Sequence, residues 1–293
     1  MADNEHADIK MSTASKTRKN LAYLQKMKDQ GEKLVQMCPA ELGPFFALAA
    51  EMVDCDICRI PHMLSSRTGN TSEEDKIACR LTIKKFREYT QVIHINFYMP
   101  TAFYADKIDA VRYGAEFVFH GADSILPMGV SNETLKYMTD NYVPVFGHIG
   151  AISGWQTNAT GYKKVGKTAE DAFKIFKWGY EYQENGMGAM TIELTPMEVS
   201  QAIAEKLRVP VISIAGGAPC DGSEMVDMDT FGVMPHAASH AKTYAQLLPF
   251  LCEAYSDWAD DVRDGVYPED KHGYHMDAQE LEKFNEMMAK FEG

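Results

Sequence analysis

The sequence predicts an α/β protein built as a (β/α)8 barrel, the TIM-barrel class. Short apolar runs alternate with amphipathic stretches along most of the 293 residues. They form about seven strand–helix units, and an eighth strand is expected near residues 225–228. Regular alternation of this number favours a barrel over an open sheet, and one barrel can use most of a chain of this length.

The stretch 143–222 shows the alternation most clearly. Its three apolar runs each end in a polar or conformationally special group. The apolar run in VPVFGHIG leads to His148, the run in MTIELTP ends in Glu193, and a glycine-rich turn at 216–222 follows VPVISIA. Active sites of parallel α/β proteins lie at the carboxyl ends of the strands. The sequence therefore predicts a site that contains His148 and Glu193.

The other elements follow from hydrophobic periodicity and capping residues. Residues 1–16 are expected to be a disordered tail, 17–276 a single barrel domain and 277–293 a C-terminal helix. Strands are predicted at 34–38, 55–60, 91–97, 116–120, 143–150, 189–194 and 209–214. Helices are predicted at 20–30, 44–52, 72–89, 107–113, 132–139, 169–185, 196–206, 236–255 and 278–291, the last two being extra helices for packing or oligomer contacts.

Composition narrows the classes of partner. The net charge of -13 disfavours binding to nucleic acid or to an anionic membrane. No apolar run reaches the length of a membrane span, and the polar first residues do not resemble a secretory signal. Six cysteines spread over the chain are typical of reduced, buried thiols, so a cytoplasmic location is expected. The lone pair Cys55 and Cys58 favours core packing over a metal or redox role.

Glu193 and His148 are the candidate catalytic residues. A carboxylate at the end of an apolar strand faces a partly dry pocket, so the pKa of Glu193 is expected to rise towards that of a useful base. The alternative is a capping partner for the helix that starts at Pro196. His148 lies between glycines that permit close approach, although a structural role is the alternative. The polar loop at 155–168 is either a lid over the site or plain surface.

Three further histidines lie on or just after predicted strands. They are His62, His94 and His120, and Asn96 shares a strand face with His94. Each alone is typical of core or surface, whereas together they would converge at one barrel mouth. An imidazole-rich site of this kind suits zinc, manganese or iron better than magnesium.

Several sequence blocks stand in order across residues 17–276: LQKMKDQGEKLVQM, VPVFGHIG, GYKKVGKT, IELTP, VPVISIAGGAPCDG and RDGVYPEDKHGYHM. In this order the chain resembles the ketopantoate (3-methyl-2-oxobutanoate) hydroxymethyltransferase family of phosphoenolpyruvate/pyruvate-type barrels. The resemblance implies a homo-oligomer, often a decamer, and transfer of a one-carbon unit from methylenetetrahydrofolate to a branched 2-oxo acid. It also implies a Mg²⁺ ion that chelates the oxo acid, a base at Glu193 and a substrate-side histidine at His148.

The first half of the chain departs from the family pattern. The family's GDS block falls on residues 61–63, and the aspartate that ends the third strand falls on Asn96. The family's KLEGG block falls on FHGAD, with Phe119 at its lysine and Gly121 at its glutamate. The carboxylates that the resemblance implies around the metal are absent on this alignment, as is the cation near the substrate carboxylate.

This departure leads to two sets of candidate residues in the first half of the chain, one for binding a metal and one for binding the substrate. Either the metal is missing, or a transition metal is held by softer ligands in place of Mg²⁺, which prefers anionic oxygen. The candidate metal ligands are His62, Asn96, His120 and His94. The candidate substrate-binding residues are Asn96, Tyr98, Phe119 and Asp123.

Three functions are compatible with the sequence. The first is an enzyme of altered chemistry that enolises a carbonyl substrate resembling a 2-oxo acid, or makes or breaks a C–C bond in it, with Glu193 as base. The second is a true 3-methyl-2-oxobutanoate hydroxymethyltransferase with unusual ligands, which would use methylenetetrahydrofolate. The third is a non-catalytic barrel that serves assembly or ligand binding. A small-molecule substrate and a homo-oligomer are expected as partners.

Overall fold

This computed structural model describes residues 17–39, 42–60, 73–152, 161–234 and 236–291, without the side chains of residues 73 and 74. The chain forms two compact units that meet in sequence between Tyr244 and Ala245. The predicted tail at 1–16, His62, and positions 155–160 of the predicted lid lie outside the described residues. The predicted domain boundaries stay a prediction.

The first unit contains an eight-stranded parallel sheet in the order β4-β3-β2-β1-β8-β7-β6-β5. An isolated parallel bridge between Ile125 and Val145 links the β4 and β5 ends of this order, so the sheet is nearly closed as a barrel. The strands are β1 Leu34–Cys38, β2 Ile57–Ile60, β3 His94–Tyr98, β4 Ser124–Leu126, β5 Phe146–Gly150, β6 Ala189–Glu193, β7 Val211–Ile214 and β8 Gly222–Val226. The predicted fold class is confirmed.

Helices alternate with these strands. In the first unit they are α1 Leu21–Asp29, α2 Pro44–Met52, α3 Glu73–Tyr89, α4 Lys107–Phe119, α5 Asn132–Asp140, α6 Ala169–Glu184, α7 Met197–Lys206 and α8 Asp227–Thr230. The second unit contains α9 Leu247–Arg263 and α10 Ala278–Ala289. Several begin at a capping side chain that accepts backbone hydrogen bonds, as Asp106 does for α4 and Thr168 does for α6.

The buried apolar residues form two clusters that follow the period of two along each strand. One cluster contains Ile95 and Phe97 and packs with the helices around the sheet. The other contains Leu34, Ile57, Phe146 and Ile212 from the strands, together with Leu24 from α1. This second cluster lies in the barrel interior near the amino ends of β1, β2 and β5, and it also includes Tyr98 and Leu126, which end β3 and β4.

The segment before β1 covers the amino ends of the strands. The Lys19 side chain is buried there, and its ammonium lies 2.9 Å from both the Asp54 and the Asp56 carboxylates. The Asp56 carboxylate in turn accepts from the N–H of Val35 at 2.9 Å, at the start of β1. The amino end of the barrel is therefore built as a structural end, which leaves the carboxyl end for chemistry.

Three element predictions need correction. The predicted strand at 116–120 is helical, because Gly114 and Phe117 continue the buried face of α4 to its end at Phe119. The fourth strand lies instead at Ser124–Leu126, and the eighth at Gly222–Val226 rather than 225–228. The helix predicted at 236–255 starts only at Leu247.

Two smaller expectations concern membranes and thiols. Within the described part of the chain, no helix combines the length and the apolar character that a membrane span requires. Cys55 and Cys58 are free thiols, Cys58 is fully buried, and burial raises the pKa of both. A buried thiol with a raised pKa is a poor nucleophile, which agrees with core packing.

Candidate active site

A belt of polar side chains crosses the barrel interior. Each member lies two residues from an inner-cluster position or from an inward-facing glycine on its strand, so it points inward. One hydrogen bond of the belt joins β1 to β6, two strands that are not neighbours, and so crosses the interior. This polar belt consists of Gln36, Arg59, Asn96, His148, Thr191 and Glu224.

Arg59 and Glu224 form the charged part of the polar belt. The Arg59 guanidinium donates to Glu224 Oε1, and Gln36 Nε2 donates to Glu224 Oε2 at 2.6 Å. Burial alone would lower the pKa of Arg59, but the acidic groups around it, Cys38 and Glu224 first, raise that pKa instead. Arg59 is therefore a permanent cation in the barrel. No sequence signal marked it beyond a charged residue in the apolar run ICRI.

His148 and Glu193 meet, as predicted, although His148 lies in the middle of β5 and only Glu193 ends its strand, β6. His148 Nε2 lies 2.9 Å from Glu193 Oε2 and 3.0 Å from the backbone oxygen of Ala151. Because both partners are acceptors, Nε2 must carry the proton. His148 Nδ1 is buried and has no hydrogen-bond partner among the described residues.

Glu193 is buried, and its second carboxylate oxygen also has a partner. The Tyr162 hydroxyl donates to Oε1 from the described part of the predicted lid. Burial raises the pKa of Glu193, but the hydrogen bonds from His148 and Tyr162 and the charge of Arg59 outweigh it and hold the pKa below its ordinary value. The expectation of a raised pKa is therefore wrong in direction for this arrangement. The N-cap alternative does not hold either, since Pro196 caps α7 without a side-chain bond.

The backbone at this end of the barrel is tight and locally strained. Gly150, Leu194 and Ala215 follow or end β5, β6 and β7, with φ of 89°, 52° and 55°. A Cβ on Gly150 would lie 2.2 Å from the backbone oxygen of Glu193, and that oxygen accepts from the N–H of Ala151 at 2.9 Å. Glycine at position 150 thus lets the two strand ends approach. Strain of this kind gathers at functional sites.

His94 and Asp123 do not join this site, because both lie at the amino ends of the strands. His94 opens β3, and its ring nitrogens contact the backbone oxygen of Lys19 at 3.1 Å and Ser124 Oγ at 2.7 Å. Burial lowers its pKa to about 4. Asp123 precedes β4, pairs with Arg87 and accepts from the N–H of Ile95 at 2.7 Å.

Phe119 and His120 lie at the end of α4 and not on a strand. The Phe119 side chain is 86% exposed. His120 is the C-cap residue of the helix, with Nε2 3.7 Å from the Glu116 carboxylate. The structure therefore brings Asn96 and Tyr98 into the barrel with His148 and Glu193, and leaves Phe119 and His120 outside it.

The strand boundaries also correct the alignment with the family pattern. The third strand ends at Tyr98 and not at Asn96. The inner cluster includes Leu126, which ends the fourth strand, and Met128, which follows it. The FHGAD segment lies at the end of α4 and in the turn after it, so it is not the fourth strand on which the KLEGG block was expected.

A metal ion does not fit the described side chains. No group of three or more His, Cys, Asp or Glu residues among them is arranged to hold one. Glu193 is already hydrogen-bonded by His148 and Tyr162, and Glu224 is paired with Arg59. The predicted ligand set is not assembled either, because His94 and His120 lie elsewhere and His62 is outside the described residues. Mg²⁺ in particular would lack the anionic oxygens that it requires.

Comparison with known proteins identifies the family. The sequence pattern of Ketopantoate hydroxymethyltransferase matches residues 18–270, most of the chain. The chain belongs to the ketopantoate hydroxymethyltransferase family. The 3-methyl-2-oxobutanoate hydroxymethyltransferase of Chloroflexus aurantiacus is 38% identical over 149 residues, which are 50% of this chain and 53% of that protein. The protein of the same name from Hyperthermus butylicus is 31% identical over 187 residues, or 63% of this chain and 65% of that protein. The chain thus spans from about half to two thirds of the length of these curated relatives.

Solved structures confirm the fold. Phosphonopyruvate hydrolase superimposes with a TM-score of 0.52 at 14% identity, over 93% of this chain and 98% of that one. The 2,3-dimethylmalate lyase of the PEP mutase/isocitrate lyase superfamily gives 0.53 at 11% identity, over 92% and 96%. At such low identity the similarity concerns the barrel alone.

Proposed function

We propose that this family member is an enzyme that removes a proton next to the carbonyl group of a small substrate resembling a 2-oxo acid, and makes or breaks a C–C bond there. Glu193 is the base. The observation that carries the proposal is the 2.9 Å contact between Glu193 and His148, buried at the carboxyl ends of β5 and β6. A positioned carboxylate with a histidine beside it suits proton transfer at carbon.

The proton transfer uses the two oxygens of Glu193 differently. His148 Nε2 keeps its hydrogen bond to Oε2 and fixes the carboxylate. When Tyr162 releases Oε1, that oxygen takes the proton from the substrate carbon, and the electrons of the C–H bond move into the enolate. The enolate carbon then forms a bond to an electrophile, or takes a proton back. In the bond-breaking direction the same groups act in reverse order.

Exchange of the substrate's C–H proton with solvent tests this directly. We expect the wild-type protein in D₂O to exchange the C3 proton of 2-oxoisovalerate, observed by ¹H NMR. Glu193→Gln should slow this exchange by about 100-fold or more, the usual range for loss of a general base. Glu198→Gln, an exposed glutamate on α7, is the matched control and should leave exchange unchanged. Full exchange by a folded Glu193→Gln protein would refute the role.

The second candidate is the reaction named for the relatives, 3-methyl-2-oxobutanoate hydroxymethylation, which the family match favours. It predicts that 2-oxoisovalerate and methylenetetrahydrofolate together give ketopantoate. Exchange without this product supports the altered chemistry instead. Absence of both exchange and product would favour the third function, a non-catalytic barrel. A transition metal, if one acts here, would need His62 and ligands beyond those described.

We also propose that the protein is a homo-oligomer, as the family resemblance implies. Support comes from the second unit, where Phe250 in α9 is 64% exposed and Met287 in α10 is 71% exposed. Contiguous apolar faces of this kind mark interaction surfaces. The decamer and the cytoplasmic location stay predictions.

A further inference from the structure

Arg59 is placed to act on the substrate of the proposed reaction. Among the described side chains that face the barrel interior, it is the cation at the level of the polar belt. Lys19 is also buried, but it lies at the amino end and is paired with Asp54 and Asp56. In the described part of the interior, Arg59 is therefore the fixed positive group that can pair with a negative charge on a substrate bound beside Glu193.

The charge of Arg59 acts on Glu193 and on its hydrogen-bond donor Tyr162. It lowers the pKa of Glu193 and opposes the rise in the pKa of Tyr162, although its own ion pair is with Glu224. The Glu224 side chain is completely buried, whereas 12% of the Arg59 side chain is accessible. An anion that enters the barrel can therefore contact the guanidinium without displacing Glu224.

Unpartnered polar atoms surround the same space. Gln36 Oε1, Asn96 Nδ2 and His148 Nδ1 are buried and have no hydrogen-bond partner among the described residues. Arg59 and Asn96 are neighbours in the register of β2 and β3. A buried polar atom without a hydrogen-bond partner destabilises the protein, so binding of a ligand that supplies the missing hydrogen bonds is favoured. Two donors side by side, a guanidinium and an amide, suit the oxygens of a carboxylate.

We propose that Arg59, assisted by Asn96, binds the carboxylate of the substrate and takes the place of a metal ion in this task, since the described side chains are not arranged to hold one. The inference rests on the proposed function and names its substrate class, a small 2-oxo carboxylate. Holding the carboxylate between β2 and β3 leaves the carbon next to the carbonyl group for Glu193 on β6. A planar guanidinium binds a carboxylate through two parallel hydrogen bonds, which lysine cannot reproduce.

Binding without turnover is the test, measured by calorimetry in the presence of EDTA with pyruvate, 2-oxobutyrate and 2-oxoisovalerate. The wild-type protein should bind at least one of them, and should bind the neutral ketone 3-methyl-2-butanone about 100-fold more weakly. Arg59→Lys should weaken carboxylate binding about tenfold, because the charge remains and the paired geometry is lost. Glu224→Gln should strengthen it several-fold, because the competing anion is gone.

A double variant, Arg59→Met with Glu224→Gln, guards against misfolding from an unpaired buried charge. It should bind the carboxylates and the neutral ketone equally weakly. Equal carboxylate binding by the wild type, Arg59→Lys and the double variant would overturn the proposal, as would binding that requires Mg²⁺ or no binding of any of the three acids.

The same measurements separate this inference from the proposed function. Glu193→Gln should keep Arg59-dependent binding although exchange is lost. Arg59-dependent binding without any solvent exchange would sink the proposed function alone. Glu193-dependent exchange with binding insensitive to Arg59 would sink this inference alone.

Discussion

Each carboxylate oxygen of Glu193 has its own donor, and the two donors differ in how firmly they are held. His148 lies on a strand and is completely buried, whereas Tyr162 lies on the loop before α6 and is 54% exposed. In the proposed reaction, the donor on the strand fixes the carboxylate and the donor on the loop leaves when substrate binds. Tyr162 is then the residue through which the loop adjusts the basicity of Glu193.

Removal of the Tyr162 hydroxyl should raise the pKa of Glu193. Tyr162→Phe deletes a hydrogen bond to the ionised carboxylate, which favours the charged form and holds its pKa low. A bond to a charged group contributes about 1.5 kcal/mol, which corresponds to about one pH unit. The acid limb of the pH profile for C3 exchange should therefore move up by about one unit. An unmoved limb would mean that Tyr162 does not contact the ionised form.

His94 gives the molecule a defined loss of stability in acid. Burial lowers its pKa from 6.5 to about 4. Between these values the unfolded chain binds the proton and the folded chain does not, so the free energy of unfolding falls as the pH is lowered from 6.5 to 4. The full loss is about 3 kcal/mol at pH values below 4.

His94→Gln keeps a hydrogen-bonding side chain but removes the titration. We expect the variant to lose less stability than the wild type between about pH 7 and about pH 4.5, measured by urea unfolding. Other titrating groups cancel in the difference between the two proteins. Parallel pH dependence in both would contradict a neutral, buried His94.

At the scale of elements, the junction of β5 and β6 sets the geometry of the site. Gly150 has a φ of 89°, and a Cβ there would lie 2.2 Å from the backbone oxygen of Glu193. Gly150→Ala should therefore reduce the free energy of unfolding by about 3 kcal/mol or more. It should also slow C3 exchange by about 100-fold, because Glu193 is displaced.

Gly31→Ala is the matched control for this substitution. Gly31 has a φ of 72°, but no described atom would lie within 4 Å of its Cβ. The control should cost about 1 kcal/mol from the left-handed backbone alone and should leave exchange intact. Equal losses in urea unfolding for the two variants would show that backbone conformation, and not the contact with β6, decides the effect.

The order of helices and strands was predictable wherever the spacing of the apolar residues clearly indicated a helix or a strand. The run EFVFHGADSIL contains two short apolar segments. Phe117 in the first continues the buried face of α4, and the second supplies a strand of three residues, Ser124–Leu126. Periodicity cannot distinguish such segments when each is shorter than two helical turns. This error placed the family's KLEGG block on Phe119 and Gly121, which lie at and just after the end of α4 and not on the fourth strand.

Only the part of the site in which the chain follows the family pattern, His148 and Glu193, was predictable from the sequence. Glu193 ends β6, and His148 lies two residues before the end of the neighbouring strand β5, so their approach follows from the strand order. Arg59 and Glu224 are 165 residues apart in sequence, Arg59 inside β2 and Glu224 inside β8. Their pairing depends on which strands are neighbours of β1 and on which level of the barrel is polar. That information is tertiary, and no local pattern carries it.

At the scale of the whole molecule, the second unit is the part whose purpose the barrel chemistry does not explain. Its helices α9 and α10 contain no buried residues. Along α9 the apolar side chains recur at Phe250, Leu251, Tyr255, Trp258 and Val262, the spacing of one helical face. Exposed faces of this kind are unfavourable in water unless a partner covers them.

A second copy of the chain is the expected partner, and light scattering after gel filtration measures it. The wild type should have a mass that is a multiple of the 32.8 kDa chain. Phe250→Glu combined with Trp258→Glu places charge on the apolar face of α9 and should reduce that mass. Asp257→Asn, an exposed change beside Trp258, is the control and should not. A wild-type mass of one chain would refute the homo-oligomer. Two charges buried in the interface without partners should destabilise it by several kcal/mol, on the order of the loss for any uncompensated buried charge. An unchanged mass in the double variant would therefore assign the interface to another surface.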